Sequence, residues 1–146
     1  MSASEMLTAR AEWDARLYDY QLARLLVDAD QTFGPLNVAS EAHEHERRRL
    51  TAQFGSWQRA VGEGGCDERA RRTFAACQAA GKENLQLCEP MWAASRALVS
   101  VPAPDLAALR IKLDVIDKEE VWNDGNFDGD CWEIVKADAA RLRRAA

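Results

Sequence analysis

The chain has 146 residues, of which 47% are hydrophobic, with five tryptophans and a formal net charge of −5. That length suits one domain with a sizeable core, and the acidic balance (pI ≈ 5.1) argues against duplex binding by phosphate neutralisation. No stretch approaches the roughly 18 apolar residues of a membrane span, and the first residues lack the basic flank and apolar run of an export signal, so the expectation is a cytoplasmic protein with no membrane partner.

Gly and Pro punctuate the chain at Gly34-Pro35, Gly62 to Gly65, Gly81, Pro90, Pro102 to Pro104 and Gly125 to Gly129. Between them Ala, Arg, Leu and Glu dominate and no segment alternates apolar with polar, so the predicted class is all-α. A first helix opens at Ser2, where Ser2 and Glu5 form a capping box, and runs to about Asp30. It carries two apolar stripes, Met6, Trp13, Leu17, Tyr20 and Val27 on one side and Leu7, Tyr18, Leu22, Leu25 and Leu26 on another, which predicts two neighbours, one of them in the same chain or in a homodimer partner. A second helix is expected from about Asn37 to Val61, with a seam of Leu50, Phe54, Trp57 and Val61.

The third helix opens near Asp67 and keeps its seam through Ala70, Phe74, Cys77, Gly81, Leu85, Cys88, Trp92, Ser95 and Val99. That continuity predicts one long helix to about Ser100, kinked near Gly81 to Pro90 because proline lacks the backbone donor. Pro102-Ala103-Pro104 ends it, and Asp105 caps a fourth helix with the face Leu106, Leu109, Leu113 and Ile116. A last helix begins around Asp128 to Asp130 and is expected to bury Trp132, Val135, Ala139 and Leu142, with Arg141, Arg143 and Arg144 at its C-terminal end. The predicted architecture is a single helical domain over 1–146: an antiparallel bundle of three long helices over about 2–100, followed by two shorter C-terminal helices over about 105–144.

Pro102-Ala103-Pro104-Asp105-Leu106-Ala107-Ala108-Leu109, Lys112-Leu113 and Asp138-Ala139-Ala140-Arg141-Leu142 form a pattern that resembles the ending of short, uncharacterised helical proteins of alphaproteobacteria and their prophages. Trp13 matches their early tryptophan. The resemblance implies a bacterial or phage origin and carries no activity with it; the Gly62 to Gly65 link and Pro90 depart from the family's pattern.

Catalytic and metal motifs are sparse. Asp124-Gly125-Asn126-Phe127-Asp128-Gly129-Asp130 reproduces the first half of an EF-hand loop, with Asp124, Asn126 and Asp128 at positions 1, 3 and 5, Gly129 at 6 and Asp130 following. Position 12 is Val135 where a bidentate Glu is needed, so a helix-to-helix turn is preferred over a calcium- or ligand-sensing site. Glu41, His43, His45 and Glu46 lack the His-Glu-x-x-His spacing and read as a solvated face. Cys66, Cys77 and Cys88 recur every eleven residues, which separates neighbours by about 16 Å along a helix and forbids a shared ion. Together with Cys131 they read as reduced packing residues. Gly62-Glu63-Gly64-Gly65 lacks the Lys-Ser/Thr of a phosphate loop, and no nucleophile elbow is present. The expectation is a protein without cofactor or catalytic apparatus. Arg47 to Arg49 and Arg69, Arg71 and Arg72 are interspersed with Glu41, Glu44, Glu46, Asp67 and Glu68, which argues against direct nucleic-acid binding.

Charge is unevenly placed. Residues 101–130 carry eight acids against three basic residues, whereas residues 1–100 carry 14 against 12 and residues 131–146 two against four. Asp114, Asp117, Glu119 and Glu120 lie close to Trp122 and Phe127, a mixture that steers toward a basic protein surface by charge and docks through aromatics. For the segment by itself the preferred reading is a solvated loop whose aromatics turn inward to cap the bundle. A non-enzymatic interaction module, acting as an acidic inhibitor of a basic nucleic-acid-handling protein, is the leading functional expectation.

Overall fold

The computed structural model describes residues 2–30, 33–62 and 67–145. Among these the chain is all-α: α1 (Ala3–Ala29), α2 (Phe33–Phe54), α3 (Trp57–Gly62), α4 (Glu68–Ser100), α5 (Leu106–Lys118), a 3-10 turn at Val121–Asn123, and α6 (Cys131–Ala145). Cys66 and the Glu63 to Gly65 part of the expected linker lie outside the described residues. The chain divides into two compact units, residues 1–28 with 89–146, and residues 29–88. No helix among the described residues is long and apolar enough to cross a membrane.

Helix starts follow the chemistry of their caps. The Ser2 hydroxyl accepts from the Glu5 N–H at 3.2 Å while the Glu5 carboxylate accepts from the Ser2 N–H at 2.6 Å, a complete capping box. Asp67 and Asp105 accept from the backbone N–H of Ala70 and Ala108, at 2.9 and 2.7 Å. α2 begins earlier than its sequence suggests, at Phe33, and takes Pro35 into its first turn, where a missing N–H has no helical partner to lose. α4 continues through Pro90, and both Pro90 and Gln86, four residues before it, are exposed.

The expected single helix from Asn37 to Val61 is two helices. Gly55 adopts φ 87°, which only glycine takes without a Cβ clash, and its N–H closes the end of α2 on the Thr51 carbonyl at 2.8 Å. Ser56 then caps α3 through the Arg59 N–H at 3.2 Å.

In the unit of residues 29–88, Leu50, Ala60 and Ala70 are fully buried, with Phe54, Trp57 and Phe74 partly buried against them. Trp57 and Phe74 meet edge to face at 5.9 Å, and the Arg47 guanidinium lies 5.6 Å from the Trp57 ring. Glu46 is buried between Arg49 and Arg69, each 2.7 Å away.

The other unit holds most of the fully buried side chains. α1 contributes Trp13, Tyr20 and Val27, and α4 contributes Met91, Ser95, Leu98 and Val99. Burying an aromatic ring of ~150–250 Å² is worth about 4 to 6 kcal/mol as an upper bound. The faces of α5 and α6 are turned partly away from the expected ones: Leu109 and Ile116 are buried as expected, but Leu106, Leu113, Trp132 and Ala139 are exposed, while α5 also buries Ala108, Lys112 and Val115 and α6 buries Cys131 and Asp138.

A buried polar network explains the rotation. Lys112, with no exposed surface, donates to Asp138 Oδ2 and to the Val101 carbonyl, both at 2.5 Å, and its ammonium lies 5.7 Å from the Trp13 ring. Ala103 supplies the lone backbone donor of Pro102-Ala103-Pro104, and Asp138 accepts it at 3.2 Å. Arg141 completes the clamp by donating to the Ala103 carbonyl and to Asp138 Oδ1. Burial pushes the Lys112 ammonium below its ordinary pKa, with Asp138 opposing that shift. Val101, Ala103, Lys112, Asp138 and Arg141 are thus physically interlocked.

Candidate interaction surface

The acid-rich segment follows the chain from the second half of α5, through the 3-10 turn, to the start of α6. Asp114, Asp117 and Lys118 are exposed on α5. Glu119 departs from the sequence reading of a docking residue. Its side chain is 4% exposed, accepts from the Tyr20 hydroxyl at 2.8 Å and pairs with Arg24 at 3.1 Å, because a carboxylate turned inward needs donors and α1 supplies two. Burial, together with that hydrogen bond to Glu119, pushes the Tyr20 phenol well above its ordinary pKa.

Glu120 ends α5 in the left-handed region at φ 50°, ψ 42°, a conformation that costs a residue with a Cβ about 1 to 2 kcal/mol. The 3-10 turn that follows separates its apolar side chains: Val121 is buried, and Trp122 is 54% exposed. Phe127 is half-buried. Asp114, Asp117, Glu120 and Asp128 are exposed and form no ion pair among the described residues. Along the chain from Asp114 to Asp128, then, Trp122 stands in a stretch whose exposed acids outnumber its one cation, Lys118.

The remaining candidates in this segment serve the turn. Asp124 pairs with Arg96 at 2.9 Å and accepts from the Asn126 N–H at 2.9 Å; although burial acts to raise its pKa, these partners hold it below the ordinary carboxylate range. Asp130 caps α6 by accepting from the Trp132 N–H at 2.8 Å, and Gly129 takes φ 92° just before it. No three His, Cys, Asp or Glu side chains gather at metal-binding geometry among the described residues.

Elsewhere, His43 is half-buried with its ring 4.7 Å from Phe74, His45 and Glu41 are exposed, and Glu46 is taken up by two arginines. Arg47 and Arg48 pair with Glu44, Arg49 with Glu46 and Asp67, and Arg72 with Glu68, so acids dilute the basic run. Cys88 and Cys131 are buried, and burial pushes the Cys131 thiol up, away from reactivity.

Comparison of the chain with models of protein families, with curated proteins and with solved structures finds no match. The buried Lys112–Asp138 pair escaped the sequence reading; the signal was present in Ala103 between two prolines, whose N–H required an acceptor.

Proposed function

We propose that this chain is a non-enzymatic interaction module of bacterial or phage origin, docking on a basic surface of another protein through Asp114, Asp117, Glu120 and Trp122. The observation that carries the reading is Trp122, more than half exposed in a segment whose exposed acids Asp114, Asp117, Glu120 and Asp128 form no ion pair among the described residues. A solvated turn has no need of an outward indole, whereas an interface uses one as its anchor, with the surrounding acids supplying encounter rate and register. A nucleic-acid-handling protein is the class of partner that best fits, since its phosphate-binding surface is the commonest large basic face a protein presents.

The test is affinity capture with the full chain as bait, at low and high salt, beside an Asp117→Lys/Glu120→Lys variant. The proposal expects a stoichiometric basic prey that is held by the parent at low salt, released at high salt and not held by the variant. A prey retained equally by both baits overturns it.

A further inference from the structure

The same unit carries a surface of opposite character, built from chain on both sides of the acidic segment. A groove of about 1060 Å³ is lined by Met6 and Leu7 of α1, Pro102 and Pro104 of the α4–α5 link, and Leu142 and Arg144 of α6. Met6 and Leu7 are exposed along its wall. Arg10 and Arg141 also border it but are engaged, Arg10 with Asp105 and Arg141 with Asp138. Arg144, and Arg143 beside it, are exposed and have no carboxylate partner among the described residues. The groove thus offers an apolar trough with unspent positive charge at its edge, the complement of an exposed indole in an acid-rich segment.

The two surfaces lie at opposite ends of α5, whose 13 residues separate Asp105 at the groove from Glu119 near the acidic face by about 20 Å. Two copies packed with their α5 helices antiparallel about a two-fold axis would bring the acidic end of each to the groove of the other, making both contacts at once, as closed two-fold pairs require. We propose that the groove is the docking site for a second copy of this chain, with Trp122 of one copy seated between Met6, Leu7 and Leu142 of the other and its Asp117 and Glu120 facing Arg143 and Arg144. This rests on the acidic face being an interaction surface and identifies one of its partners as the chain itself. In the paired form the acidic face is covered, so self-association and capture of another protein compete.

Sedimentation equilibrium of the full chain tests this with three proteins: the parent, Asp117→Lys/Glu120→Lys, and Arg143→Glu/Arg144→Glu. All four substituted positions are exposed, and circular dichroism establishes that each variant keeps the parent's helix content. The parent is expected to dimerise at low salt and dissociate at high salt, and each variant to dissociate at least about tenfold more readily. Mixing the two variants restores the dimer, because the reversed acidic end of one now meets the reversed groove of the other. A parent that stays monomeric at every concentration, a dimer that neither variant weakens, or a mixture that fails to pair overturns the proposal; so does a dimer broken by Leu22→Glu/Leu26→Glu on the exposed stripe of α1 and by neither charge variant. A monomeric parent whose Asp117→Lys/Glu120→Lys form still loses its captured prey would leave the function proposed above standing and remove this inference alone.

Discussion

The unit of residues 1–28 and 89–146 encloses a tryptophan, a lysine and an aspartate almost completely, while the unit of residues 29–88 closes over only Leu50, Ala60 and Ala70 among its hydrophobic cluster. The first relies on large apolar side chains and a polar network in which each charge is paired and hydrogen-bonded. The second relies on partly exposed rings packed edge-on or tilted against one another and on Glu46 held between two arginines. The difference teaches where rigidity is placed: the groove and the acidic turn are both mounted on the unit with the deeper core, the arrangement that the proposed docking surface would need to be ordered before a partner arrives.

The comparison breaks most sharply at the buried ion pair. Asp138→Ala leaves the Lys112 ammonium enclosed without its counter-charge and is expected to cost about 3 to 5 kcal/mol in chemical denaturation, whereas Lys112→Met/Asp138→Leu, which removes both charges, costs much less. If the single and double variants unfold alike, the network is not what holds the linker to α6. Next in size is the contrast between tryptophans. Trp13→Ala is expected to cost about 3 to 5 kcal/mol, and Trp57→Ala, whose ring is only partly buried, less than about 3 kcal/mol; equal losses would erase the distinction between the units. Gly55→Ala forces a Cβ into φ 87° and is expected to destabilise the α2–α3 corner by about 1 to 2 kcal/mol, read from the melting temperature.

Smaller again is the acid limb of the stability curve. The Asp105 carboxyl is held below its ordinary pKa, first by the Ala108 N–H and then by Arg10, and that of Asp67 likewise by the Ala70 N–H and Arg49. A depressed carboxyl contributes stability that is full above its unfolded pKa and is lost as pH falls through the folded value. Melting temperature should therefore drop on acidification, and Asp105→Asn, which keeps a capping oxygen without the charge, should make that drop shallower. Smallest of all is the effect of Asp117→Lys/Glu120→Lys on folding, expected within about 0.5 kcal/mol of the parent because neither side chain touches the core.

Three helix starts were legible because they depend on local chemistry: Ser2 with Glu5, Asp67 and Asp105 are caps whose partners lie three residues away, whereas the start of α2 at Phe33 was missed. The inward faces of α5 and α6 were not legible, since a hydropathy pattern assigns Lys112 and Asp138 to the surface and so turns both helices toward Leu106, Leu113 and Trp132. Gly55-Ser56 carried the signal for the α2–α3 break, a glycine at a helix end followed by a capping serine, and the Leu50 to Val61 seam masked it. At the interaction surface, composition alone marked Asp117, Glu120 and Trp122. The inward turn of Glu119 depends on Tyr20 and Arg24, 99 and 95 residues away in the chain, and no local pattern encodes such a partner.

Amide hydrogen exchange of the full chain, with and without its captured protein partner, tests the central claim most directly. The account predicts slowed exchange confined to residues 114–128, centred on the 3-10 turn that carries Trp122. Protection absent there and concentrated instead along the exposed Leu22, Leu25 and Leu26 stripe of α1 would contradict it.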